Sequence, residues 1–268
     1  MLVRRDEASL ILIPQPCHSW LSGQLARAWG GTDFEPPSPF EAVCLAVEQH
    51  DIGWLDWDQR PQLDSKTGLP REFWTVPAVD HTAFWSDGVR RALVFGRYPA
   101  LLVSLHGTTI YALTFDPSTA SRDNAEAVKT FLAEQRLFQQ TTLSSLRADP
   151  STADDATADN VERNRLLVRA LDAMSLHACW GLQKEVVITD VPSSGEGCRS
   201  LTLRPGSAQP DEIIVDPWPF RSDRLVLKAE GKRVAGPFRT DDDLQRAFEA
   251  AQSVMIPVAL RSNTAAAS

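Results

Sequence analysis

Residues 48–54 read Glu-Gln-His-Asp-Ile-Gly-Trp, EQHDIGW, so an imidazole and a carboxylate, His50 and Asp51, stand side by side just before a glycine. Upstream, Ser38-Pro39-Phe40-Glu41 has the form of a capping box with proline in the first helical position. Phe40, Val43, Val47 and His50 then recur at helical spacing, and Gly53 supplies a stop. Two metal-type ligands therefore sit in the last turn of a well-marked helix. The fold follows from asking which other segments bring groups to meet them.

Composition narrows the classes. The chain has 268 residues, 43% hydrophobic and 23% charged, enough for one large core or a domain with a smaller companion. A net charge of −8 argues against nucleic acid or an anionic membrane as partner. The opening MLVRRDEASLILIP has too short an apolar run, interrupted by acids, for a signal peptide or a membrane span. Cys17, Cys44, Cys179 and Cys198 lie far apart with no CxxC, which fits a reducing, cytoplasmic setting without disulfides. No internal repeat is present, and Ala148–Asp159, ADPSTADDATAD, reads as an acidic exposed loop.

Up to about Gly181 the pattern is mostly helical. His18, Leu21, Leu25 and Trp29 share one face of a short helix, and Asp80 caps another running through Phe84, Val89 and Leu93. Pro99 opens a helix through Ala100–His106, although that apolar run also suits a buried strand. Asp123 starts a long helix, and a last one spans about Val161–Cys179. Beyond Gly181 the runs EVVITDV, SLTLR, EIIVDPW and RLVLKAE are branched and separated by Gly, Pro and Ser, which is strand chemistry. The expectation is a mainly α chain: a helical metal-binding domain over residues 1–182, with a small α+β, strand-rich appendix over 183–268 packed on it.

Imidazole and carboxylate together suit Fe, Mn, Zn or Ni. In chain order the candidates are His18, His50-Asp51, His81, His106 and Asp172, which use four of the five histidines. This order resembles that of the HD-domain superfamily, whose metal sites follow H…HD…D and whose two-metal members insert two further histidines. The pieces QPCHSWLSGQLARAWG, EQHDIGWLDWDQRPQLDSKTGLPREF and LLVSLHG also resemble an uncharacterised bacterial family of unknown function. The superfamily resemblance implies an HD-like helical core holding one or two divalent transition metals, iron foremost. His18, His50, Asp51 and Asp172 would hold the first, and His81, His106 and Asp51 the second. The alternative is that His106 is a hydrogen-bonded core histidine and His81 part of a helix cap, which leaves a one-metal site.

Residues 54–74 lack periodicity but hold Arg60, Lys66 and Arg71, which could grip a small anionic substrate, with Asp51 at the reacting centre. The opposite reading is a surface loop pinned by tryptophans. Three activities follow from the resemblance. One is metal-dependent hydrolysis, of a phosphate ester in the first instance. A second is a mixed-valent di-iron oxygenase acting on a small polar or anionic molecule, and the third a module that binds a ligand without catalysis. Many HD phosphohydrolases carry lysine after HDIG; here the residue is Trp54, which weakens the phosphate assignment.

Overall fold

The computed structural model describes residues 1–6, 9–195, 197–206 and 211–263. The chain opens not with a helix but with a hairpin, β1 (Leu2–Asp6) and β2 (Ser9–Ile13), paired from Leu2 opposite Ile13 to Asp6 opposite Ser9. β2 then runs antiparallel to β6 (Arg224–Val234), with Leu10 facing Val234 and Leu12 facing Lys232. Both faces of β2 are buried. Ile11 and Ile13 enter the main core, while Leu10 and Leu12 enter a smaller one with Val234, Phe238, Leu244 and Phe248. A strand covered on both sides reads as a continuous apolar run, with no alternation to announce it.

Five helices form the layer that carries the site: α1 (Gln15–Ala28), α2 (Phe40–Gln49), α4 (Ala78–Ala92), α5 (Arg97–Thr114) and α7 (Ala158–Trp180), with the one-turn α3 (Leu55–Asp58) following α2. The long α6 (Arg122–Ala148) packs outside α4 and α5. Ser121 and Thr157 cap α6 and α7 by accepting from Asn124 and Asn160 backbone N–H groups. The capping box at residue 38 does not form: the residue preceding α2 is Pro39, and no side chain caps the helix. The acidic loop expected over 148–159 contracts to the turn between α6 and α7.

Downstream come β3 (Val186–Pro192), β4 (Cys198–Pro205), β5 (Glu212–Asp216), β6, α8 (Asp241–Ala250) and β7 (Gln252–Ser262). They and the N-terminal hairpin make one seven-stranded sheet in the order β1-β2-β6-β7-β5-β4-β3, antiparallel except between β5 and β7. The main core unites helix residues such as Leu21, Leu25, Leu167 and Leu171 with sheet residues such as Ile188, Leu203, Val215 and Val258.

These facts correct the expected fold class. Of the described residues 51% are helix and 22% strand, a mixed α/β fold. It is neither a mainly α domain with a small strand-rich appendix nor an HD-type helical core, because the sheet draws on both ends of the chain. The division at residue 182 falls between α7 and β3, yet the main core crosses it and β1 and β2 lie on its far side. Among the described residues no helix is long and apolar enough to cross a membrane.

Gly53 has a structural task other than stopping α2, which ends at Gln49. It lies in a short 3-10 turn, Ile52–Trp54, pressed against α4. A Cβ there would collide with the Phe84 carbonyl oxygen and come 2.8 Å from the Gly88 nitrogen. Both obstacles are backbone and cannot swing away. Gly53→Ala is therefore expected to destabilise the protein by about 2 kcal/mol or more, the upper range for overpacking. Gly68→Ala, with open space around it but φ near +66°, should cost only about 1 kcal/mol. Denaturant midpoints compare the two; equal midpoints would refute the close-packing role.

Candidate metal centre

α1, α2, α5 and α7 converge on one buried point. At the start of α1, the Asp58 carboxylate accepts from the backbone N–H of Gln15, closing the helix end where negative charge is favoured. His18 follows on the next turn. His50 is the residue that caps the C-terminus of α2, and Asp51 takes φ −107°, ψ 19°, the sparsely populated bridge region common among active-site residues. That bend turns the side chains of two adjacent residues toward the same place. His106 comes from α5 and Asp172 from α7.

The distances are those of a ligand cluster. Coordinating atoms of His18, His50 and Asp51 lie within 4.8 Å of one another, as do those of His50, His106 and Asp172. His50 Nε2 is 3.5 Å from Asp51 Oδ2 and 3.4 Å from Asp172 Oδ1. His18 Nε2 is 3.8 Å from Asp172 Oδ1, and His106 Nε2 is 3.6 Å from Asp172 Oδ2. Only the 2.7 Å between His18 Nε2 and Asp51 Oδ2 is hydrogen-bond length. Atoms about 2.1 Å from a shared ion stand about 3.4 Å apart in a tetrahedron, so the other four separations fit coordination better than direct pairing. All five residues are buried.

The second nitrogens explain how the rings are aimed. His50 Nδ1 lies 2.7 Å from the Val47 carbonyl oxygen, which can only accept, so Nδ1 carries the proton. His18 Nδ1 lies 2.8 Å from Ser175 Oγ. Ser175 donates its own proton to the Asp172 carbonyl at 2.8 Å and accepts from Ser22 at 2.7 Å, so its oxygen is left to accept from His18. With each Nδ1 so engaged, it is Nε2 of each ring that faces the carboxylates, and among the described residues no hydrogen-bond partner is found for His50 Nε2. Ring N–H groups anchored on carbonyl or hydroxyl oxygens are the usual support of metal-binding histidines. His106 Nδ1, in contrast, is buried without a partner.

Charge follows geometry. Burial opposes a proton on His50, but the Asp51 and Asp172 carboxylates outweigh it and raise its pKa to about 9. Burial likewise opposes ionisation of Asp172, yet His50, 3.4 Å away, holds its carboxyl well below the usual range. Asp51 is lowered against its own burial by the charge of His50 and by its hydrogen bond with His18. His106 is depressed to about 4, chiefly by burial.

Asp51, His106 and Asp172 also border a cavity of about 510 Å³. Its wall is aromatic: Trp54, Phe73, Trp74, Trp85, Tyr111 and Phe115. His81 lines this cavity but joins neither ligand group; its Nδ1 is 2.9 Å from Tyr111 Oη. The second ligand set expected from His81, His106 and Asp51 is not assembled. Arg60 and Lys66 are exposed, Arg71 is half-buried, and none of the three lines the cavity. The aperiodic segment instead supplies Trp54, Phe73 and Trp74. Sequence reasoning missed Gln15, Ser22, Ser175 and Tyr111. Ser22 and Ser175 left one signal, a small polar residue on the apolar face of a helix.

A helical layer braced by a seven-stranded sheet, with a buried His/Asp cluster opening onto an aromatic cavity, defines the class of protein. The chain belongs to the family described as Protein of unknown function (DUF3891), whose family model matches residues 1–236. No curated protein and no solved structure matches it. The resemblance to the HD-domain superfamily is thereby overturned: the family is a different one, and a seven-stranded sheet shares the main core with the helices.

Binding of Mn²⁺ to metal-free protein is expected to strengthen as pH rises from about 6.5 to about 9, since the His50 proton must leave before Nε2 can bind. Titration calorimetry across that range would refute the site if affinity stayed flat. Asp172→Asn keeps the shape and removes the charge, so it should fold normally and bind the ion about tenfold or more weakly.

Proposed function

We propose that this protein is a metal-dependent hydrolase with a single divalent transition-metal ion held by His18, His50, Asp51, His106 and Asp172. The observation that carries the reading is the pair of histidines whose Nδ1 protons are committed elsewhere while their Nε2 atoms face two buried carboxylates. Electron-rich atoms so arranged need a cation among them, either a proton or a metal. A mixed imidazole and carboxylate set accommodates Fe, Mn, Ni or Zn. One ion is favoured over two because both ligand groups use His50, and its single free nitrogen serves one ion. That also removes the support for a di-iron oxygenase.

A bound ion would polarise a substrate carbonyl and make water acidic enough to act as nucleophile near neutral pH. The chain's own residues do the rest. Ser175 and the Val47 carbonyl fix the two rings, and the carboxylates balance the ion's charge. His106, Asp51 and Asp172 face the cavity, so a substrate reaches the centre from that side. The tryptophans and phenylalanines around it keep the site poor in water, where electrostatic interactions strengthen. A phosphate ester fits this wall poorly, because no lysine or arginine lines it.

Elemental analysis of protein loaded and desalted is expected to give about one ion per chain. His50→Ala should lose it, and His81→Ala should keep it. Turnover of a carboxylic ester or amide should vanish with chelator and return with metal. Two ions per chain, or full metal content in His50→Ala, would end this reading.

A further inference from the structure

The side chains that line the cavity, His81 foremost, describe what fits. His81 stands in its wall, the ring centroid 5.0 Å from Trp54 and 5.9 Å from Trp85. Its Nδ1 is committed to Tyr111 at 2.9 Å. Burial keeps the Tyr111 phenol protonated, and among the described residues His81 is the hydrogen-bond partner found for it. If the phenol donates to Nδ1, both groups are satisfied; the reverse would leave a buried hydroxyl proton without an acceptor. The neutral imidazole then bears its proton on Nε2 and offers the cavity a donor, not a lone pair. This accounts for its separation from the ligand cluster.

Gln15 and Trp85 also line the cavity; among the described residues no hydrogen-bond partner is found for Gln15 Oε1 or Trp85 Nε1, but both atoms lie buried behind the surface of the wall. Among the described residues no lysine or arginine lines the wall, and its two carboxylates already face histidines. Neither an anion nor a cation finds a counter-charge outside the centre.

We propose that this cavity binds an uncharged, planar organic molecule with a carboxamide- or ester-like end, its body against Trp54, Phe73 and Trp74 and its carbonyl oxygen accepting from His81 Nε2–H. The claim that such a molecule is cleaved rests on the hydrolase reading; the claim that it binds rests on the wall alone. Flat apolar bodies stack on tryptophan and phenylalanine faces without needing a charge.

The test is tryptophan fluorescence of the metal-free chain titrated with benzamide, phenyl phosphate and benzyltrimethylammonium, which share a ring and differ in charge. Benzamide should bind about tenfold or more tightly than either ion, because an unpaired charge is costly to bury. His81→Phe, which keeps a ring in place, should weaken benzamide about tenfold, the effect of stranding one buried partner. In Tyr111→Phe, imidazole ¹⁵N shifts should show His81 losing its preference for the Nε2–H tautomer. Absent benzamide binding, equal or tighter phenyl phosphate binding, unchanged affinity in His81→Phe, or an Nδ1–H tautomer in the wild type would each overturn the proposal. Assaying turnover after Mn²⁺ is added separates the two readings. Benzamide binding that persists while no metal-dependent turnover is found ends the hydrolase reading and leaves this one. Metal-dependent hydrolysis of p-nitrophenyl phosphate without benzamide binding does the opposite.

Discussion

Two carboxylates buried among three imidazoles set the terms for this molecule. An isolated carboxylate in a protein interior costs several kcal/mol unless it is neutralised by a proton or a partner. Here Asp51 and Asp172 stay ionised because His50 lies 3.5 Å and 3.4 Å from them, and His50 in turn holds its proton up to about pH 9 because they are there. The cluster is stable only as a set. His106, depressed to about 4 by burial, cannot share the positive charge, so the compensation falls on His50. A divalent ion at the same point would replace the His50 proton by a larger charge held at several atoms. The same geometry thus favours a metal and sustains the metal-free fold.

The ligand set was legible because it draws on scarce residues in conspicuous contexts. Four of five histidines line up with a carboxylate, Asp172, that sits on an otherwise apolar helix face, and a buried acid there needs a reason. Five of the six expected ligands meet. His81 does not, and no local feature of its helix could have said so; its separation depends on Tyr111, thirty residues away, taking its Nδ1. The loop cations failed for the complementary reason. Arg60, Lys66 and Arg71 are near the motif in sequence, but their segment turns its aromatic residues to the cavity and its charges away, as solvation dictates.

The fold was half legible. Every helix from α4 onward begins near a recognisable cap or proline, and each strand from β3 to β7 coincides with a branched run. What escaped was the hairpin 2–13. Its residues Ser9–Ile13 carry no alternation, since one face meets α8 and the other the helical layer. Ligand order was also a poor guide to architecture. A sequence of H…HD…H…H…D records which segments reach the centre, and says nothing of what packs behind them. Here a sheet packs behind them, and the family to which the chain belongs is not the one that order resembles.

The sheet is where the site gets its rigidity. β2 pairs with only residues 232–234 of β6 before the chain turns at Pro14 into α1. The exposed backbone of β6 beyond that point would lack partners, and α1 takes over the role of the strand. Cys17 Sγ accepts from Glu230 N at 3.0 Å, and the Gln24 side chain both donates to Lys228 O at 2.8 Å and accepts from Lys228 N at 3.3 Å. These side-chain bonds to the backbone of β6 hold α1 against the strand at two points along its length. α7 is seated the same way on the other side, against β1 and β3. The two helices so anchored are those that carry His18 and Asp172, and they are joined by Ser22 and Ser175. A cluster that tolerates little displacement of its charges is therefore mounted on the two helices the sheet holds most directly, which is why both ends of the chain are needed to complete one centre.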